Sequence, residues 1–161
     1  MDTMPQVQLI TPALIEGLVE QARQSPRRRI NHNFHSGPDD NPHRFLNVLL
    51  EQTYVRPHRH LDPPKSESFL VLQGEVALWI FDGDGSVTQT HRLGPSNSIG
   101  IDIPPGVWHT LTATSPVAVC YEVKPGPWDP ARDKEFSLWS PEEASPQAQN
   151  YLRSLLTLVL Q

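Results

Sequence analysis

The sequence predicts a mainly β domain, a sandwich or barrel of short antiparallel strands with a short helix at each end. Three observations predict it. From residue 43 to 124, short runs rich in β-branched and aromatic residues alternate with turn signals. Apolar residues recur at helical spacing only near the two ends. Seventeen prolines in 161 residues are spread along the chain, so they punctuate many short elements rather than mark one disordered tract.

The first helix is expected in "TPALIEGLVEQARQSP". Thr11 caps it, Pro12 suits its first position, and Pro26 ends it. Leu14, Ile15, Leu18, Val19 and Ala22 make its apolar stripe. "RRRINHNFHSGPDDNP" is polar and turn-rich, with a short strand around Ile30 to Phe34. The β runs are "RFLNVLLEQTYVRPHRH", "ESFLVLQ", "EVALWIF", "VTQTHRL", "SIGIDIP", "WHTLTA" and "VAVCYEV". "DGDGS" lacks the further carboxylates of a calcium loop and reads as a hairpin turn. "KPGPWDPARDKEFSLW" is irregular. In "SPEEASPQAQNYLRSLLTLVLQ", Ser140 and Glu143 have capping-box spacing with Pro141 at the first helical position. Leu152, Leu155, Leu156 and Val159 then form one face of a closing helix, widened by Leu158 and Leu160. The division is one domain: 1–42 helix and polar segment, 43–124 β core, 125–161 strap and closing helix. No internal repeat or interdomain linker is visible.

Apolar residues make up 37% of the chain and charged residues 19%, an ordinary globular balance. A net charge of -5 and a pI near 5.7 argue against a nucleic-acid partner. No stretch has the length of apolar sequence that spans a bilayer. The N-terminal "MDTMPQVQLITPALIEGLVEQ" lacks a basic flank and a long apolar core, so no secretory signal is expected. The one cysteine, Cys120, excludes an intrachain disulfide and reads as a buried thiol, in keeping with a cytoplasmic setting.

The chemistry is concentrated in "RPHRHLDPPKSESF" and "IPPGVWHTL". In a strand, residues i and i+2 face the same way, so His58 and His60 share a side. After the turn, Glu67 opens the next strand and can face the same side. His109 follows a Pro-Pro-Gly turn at the start of another strand. Three imidazoles and a carboxylate suit Fe, Mn, Ni, Cu or Zn. Asp62, continuing the alternation from His60, is the alternative carboxylate.

These residues resemble the two motifs of the cupin superfamily. The first is H-x-H, a gap, Glu, six residues, Gly, met here by His58, His60, Glu67 and Gly74. The second contains P-x-G-x-x-H, met by Pro104, Gly106 and His109. The resemblance implies a cupin (jelly-roll) β-barrel with one divalent metal per chain, held by His58, His60, Glu67 and His109. The gap from His60 to Glu67 is longer than the family's, and Ala113 replaces the usual asparagine after the last His. The distance from Glu67 to Gly74 favours Glu67 over Asp62. "SPRRRINHNFH", "YVRPHRH", "ESFLVLQGEVALWIFD" and "YEVKPGPWDPARDKEF" are similar to the WbuC-type cupin-fold metalloproteins, associated with bacterial surface-polysaccharide gene clusters.

Arg28, Arg29, Asn31, His32, Asn33 and His35 form a dense polar group. Either they contact a small anionic or sugar-like ligand across the barrel mouth, or they are a solvated loop. Lys124 or Trp128 could reach a ligand, or belong to a structural strap. His43 and His91 are expected at the surface. The functional expectation is a metalloenzyme acting on a small, carbohydrate-linked anionic substrate, by isomerisation, epimerisation, dioxygenation or lyase chemistry. The alternatives are a non-catalytic small-ligand-binding metalloprotein and a metal-free sugar-modifying protein with a histidine base. A homodimer is expected from the leucine-rich closing helix.

Overall fold

The structure, a computed structural model, describes residues 6–159. Helix α1, Pro12–Gln24, is capped by Thr11, whose Oγ1 accepts from the Leu14 N–H at 3.1 Å. Ten strands follow: β1 Arg29–Asn33, β2 His43–Leu50, β3 His58–Arg59, β4 Glu67–Gln73, β5 Val76–Phe81, β6 Val87–Leu93, β7 Gly100–Ile103, β8 Trp108–Ala113, β9 Val117–Lys124 and β10 Glu135–Phe136. Helix α2 spans Ala148–Thr157.

The strands form two antiparallel five-stranded sheets, ordered β1-β2-β9-β4-β7 and β10-β3-β8-β5-β6. The main core lies between them. Leu49, Phe69, Val71, Ala118 and Cys120 of the first sheet meet Val76, Leu78, Leu93 and Leu111 of the second. A fully buried leucine here contributes about 1.5–3 kcal/mol. Helix α1 covers the outer face of the first sheet, setting Leu18 and Ala22 on Leu46, Val48, Leu50 and Val119. The expected "DGDGS" hairpin joins β5 to β6, closed by Asp82 N–H donating to the Ser86 carbonyl at 2.9 Å.

Four local expectations are corrected. The run 44–60 is not one strand. It leaves the first sheet after Leu50 and enters the second at His58. The crossing segment is tied to β8 by Thr112 Oγ1, donating to the Thr53 carbonyl at 2.6 Å, and by Thr110 Oγ1, donating to the Val55 carbonyl at 2.5 Å. The closing helix starts at Ala148, not Pro141, because the second Ser-Pro pair at 145–146 disfavours helix at the residue before the proline. Ser140 hydrogen-bonds Ser137 instead, and Glu143 pairs with Arg29 and Arg27. Leu152 and Leu155 are buried as expected, whereas Leu158 is 45% exposed and leaves the apolar face. Leu160 lies outside the described residues. His43, expected at the surface, is buried, because it stacks on His35 at 4.0 Å and its Nε2 bonds the Pro38 carbonyl. His91 is half-buried, its Nε2 3.0 Å from Gln89 Oε1.

Candidate metal centre

His58 on β3 pairs in register with His109 on β8, which places the two motifs side by side in the second sheet. Gly106 makes the turn before β8 at φ 80, and its N–H donates to the His60 carbonyl at 3.0 Å. A left-handed residue there suits glycine. Glu67 opens β4 in the first sheet and reaches across. One donor atom from each of His58, His60, Glu67 and His109 falls within 4.8 Å of the others, and all four residues are buried.

The outer nitrogens determine what the inner ones can do. His58 Nδ1 donates to the Arg56 carbonyl at 2.9 Å and His109 Nδ1 to the Val107 carbonyl at 2.9 Å. His60 Nδ1 donates to the Asp133 carbonyl. A carbonyl only accepts, so each Nδ1 carries a proton, and a ring in its neutral form turns a bare Nε2 lone pair inward. His109 Nε2 lies 2.9 Å from Glu67 Oε2, and His60 Nε2 lies 3.0 Å from Oε1. His60 Nε2 has no aligned hydrogen-bond partner among the described residues. Acceptors converging in a buried space need a proton or a cation between them. Burial pushes His58 well below the usual histidine range, with Lys134 and His109 adding to the fall, so that ring is neutral. Burial alone would raise the Glu67 carboxyl, but positive charge shared with the His109 and His60 nitrogens, as a proton or a cation between them, and the Lys124 ammonium hold it well below its ordinary value. The set fits a divalent cation in both charge and ligand type.

Around the centre lies a network of buried charges. Lys124 Nζ stands 3.4 Å from Glu67 Oε1 and 3.0 Å from Asp133 Oδ2. Lys65 Nζ stands 3.1 Å from Asp133 Oδ1. Asp62, the alternative carboxylate, is exposed and pairs with Arg132 at 2.9 Å, so the cluster takes its carboxylate from Glu67. Glu122 accepts from Asn47 Nδ2 at 3.2 Å, and burial together with Glu67 pushes its carboxyl up to about 8. Cys120 is buried in the core with its thiol raised to about 12, as expected of an inert cysteine.

The centre faces a cavity of about 490 Å³ that His58, Glu67, Asn47, Glu122, Lys124 and Lys134 help to line. Strand alternation divides the polar N-terminal group around it. Arg29, Asn31 and Asn33 stand opposite Leu49, Asn47 and Phe45, on the inward face of the first sheet. Arg29 and Asn31 line the cavity. His32 points to the other face and meets Phe34 edge-on at 5.1 Å. Arg28 turns away, its Nε donating to the Glu51 carbonyl at 3.1 Å. His35 lies further out against His43. Sequence reasoning missed Glu122, Asp133, Lys134 and Asn47. The alternation in "VAVCYEVK" carried a signal: Cys120, Glu122 and Lys124 share a face, and Cys120 is a core residue.

A family model described as a domain of unknown function, DUF6016, matches residues 10–93. The chain belongs to this family. The matched span holds His58, His60 and Glu67, and His109 lies beyond it. No curated protein matches this DUF6016 member. Among solved structures, it is similar to a dTDP sugar isomerase from Desulfovibrio desulfuricans, with a TM-score of 0.51 and 20% identity over 71% of each chain. It is similar to an L-ribose isomerase from Geodermatophilus obscurus, with a TM-score of 0.56 and 14% identity over 76% of this chain and 71% of that one. The capsular polysaccharide assembling protein CapF from Staphylococcus aureus matches with a TM-score of 0.56 and 20% identity over 66% of this chain. The DUF6016 chain spans 31% of CapF's length. These neighbours establish the cupin fold. No helix among the described residues is long and apolar enough to cross a membrane.

Proposed function

We propose that the chain is a metalloprotein that holds one divalent ion at His58, His60, Glu67 and His109 and acts on a small, carbohydrate-linked anion in the adjoining cavity. The observation that carries the reading is the convergence of inward Nε2 atoms on a buried carboxylate beside a lysine-lined space. Lys65, Lys124 and Lys134 outnumber the two ionised carboxylates Glu67 and Asp133, and the ion would add further positive charge. A carboxylate or phosphate on the ligand would balance that charge. A divalent ion would supply polarisation of a ligand oxygen.

The remaining work falls to the chain's own groups. Lys124 and Lys134 attract and orient the anion. Glu122 is the carboxyl in the same cavity able to hold a proton at its oxygen and exchange it with the ligand. The sugar isomerases and the capsule-assembly protein among the fold neighbours, and the WbuC-type resemblance, support a carbohydrate-linked substrate by analogy.

Elemental analysis and calorimetry with inorganic phosphate test the reading. Purified protein should carry one divalent metal per chain, the His60→Ala variant should carry none, and phosphate should bind only the metal-loaded form. Unchanged metal in His60→Ala would overturn the centre. Equal phosphate binding by loaded and chelated protein would overturn the role of the ion in ligand binding.

A further inference from the structure

A second compartment of about 440 Å³ opens beyond the first and shares Asn31, Phe45, Lys124 and Trp128 with it. The shared residues set the two compartments side by side, and His58 and Glu67 of the centre line the inner one alone. A lone carboxylate or phosphate fills little of that combined space. Small-molecule sites are typically roughly 300–1,000 Å³ and enclose most of their ligand. The ligand therefore has a second part, and the chemistry of the outer compartment states what it is.

Among the described residues, the outer compartment is lined by no carboxylate and no arginine; His35 and His43, stacked on each other, form part of its wall. Its one lysine, Lys124, turns its ammonium towards Asp133 and Glu67, which line the inner compartment. What it offers is a row of carboxamides. Asn31 and Asn33 share the inward face of β1, and neither side chain has a hydrogen-bond partner among the described residues. Asn47, in register opposite Asn31, lines the inner compartment where the two meet, spends its Nδ2 on Glu122, and leaves a buried Oδ1 without a partner among the described residues. Each carboxamide presents donors on one side and an acceptor on the other, a match for hydroxyls that both donate and accept. Trp128, 46% exposed, also lines the outer compartment and gives an apolar face against which ring C–H groups can lie.

We infer that the outer compartment is a subsite for a neutral hydroxylated ring, a pyranose, whose anionic substituent passes Lys124 to the inner compartment. This rests on the reading that the inner compartment takes an anion. Calorimetry on the metal-loaded full chain, with inorganic phosphate and the 1-phosphates of glucose, galactose and mannose, separates the two. At least one hexose 1-phosphate should bind about tenfold more tightly than phosphate, the worth of one or two hydrogen bonds. Asn33→Ala, at an exposed position that lines the outer compartment and not the inner one, should remove most of that advantage and leave metal content and phosphate affinity within about twofold of the parent. If phosphate binds and no hexose 1-phosphate binds better, the pyranose subsite is overturned and the anion reading stands. If phosphate itself fails to bind, the anion reading falls and the subsite with it.

Discussion

Arg29 Nη2 lies 2.5 Å from Glu143 Oε1, joining the first strand to the segment before the closing helix across 114 residues of sequence. The same guanidinium donates to the Tyr54 carbonyl at 3.0 Å. Of the two arginines that the sequence offers to an anionic ligand, Arg28 turns away and Arg29 is committed within the chain, so any ligand reaching Arg29 competes with Glu143.

The pair makes stability depend on pH in a stated direction. Burial raises the Glu143 carboxyl, but Arg29 and Arg27 outweigh it and leave it below the ordinary value of 4.5. A depressed carboxyl stabilises the fold above its unfolded value and loses that contribution as pH falls through its folded value. Glu143→Gln should therefore cost about 1–3 kcal/mol near pH 7 in urea titrations. The gap between variant and parent should shrink below pH 4.5. A gap of constant size into strong acid would contradict the pairing.

Asp133 serves the centre twice. Its carbonyl accepts from His60 Nδ1, and its carboxylate holds Lys65 and Lys124. Asp133→Asn keeps the carbonyl and removes the charge, leaving two buried ammonium groups unbalanced. Breaking a buried ion pair from one side costs about 3–5 kcal/mol. Urea denaturation should show a loss of that order, and metal affinity should fall as Lys124 loses one of its two partners. Parent-like stability would show that the lysines find water or another anion.

Much of this was legible in the sequence. Runs of β-branched and aromatic residues between turn signals marked the strands, and paired His58 and His60 with the Pro-Pro-Gly turn marked the buried cluster. What stayed hidden depends on long-range geometry. Asp133 and Lys134 lie in an irregular strap with no periodicity to read. The strand break after Leu50 depends on which sheet each half joins. His43 looked superficial because its partners, His35 and Pro38, come from a loop whose path no local rule fixes.

Gly74 tests the first motif from the side of the backbone. It sits at φ 74 between β4 and β5, and a Cβ there would stand 2.0 Å from the Val117 carbonyl oxygen. Neither the left-handed backbone nor that distance suits alanine. Gly74→Ala should lower stability by more than about 2 kcal/mol in thermal or urea unfolding. A neutral result would mean that the β4–β5 turn and β9 separate more easily than their packing indicates.

The choice between Glu67 and Asp62 gives the most direct check of the centre. Sequence alternation allows either. In the fold, Glu67 is 2% exposed and its two oxygens face His109 and His60, whereas Asp62 is exposed and meets Arg132. Glu67→Gln keeps shape and removes the charge that balances a divalent ion, so metal content should drop well below one per chain. Asp62→Asn should retain full metal, because it removes only an exposed ion pair, with a stability cost of about 1 kcal/mol or less. Chelation provides an independent readout. An ion bound only by the folded state stabilises it in proportion to the logarithm of its concentration over Kd. Chelator should therefore lower the Tm of the parent and of Asp62→Asn by several degrees and leave Glu67→Gln unmoved. Metal retained by Glu67→Gln and lost by Asp62→Asn would reverse the assignment and place the carboxylate ligand in the turn.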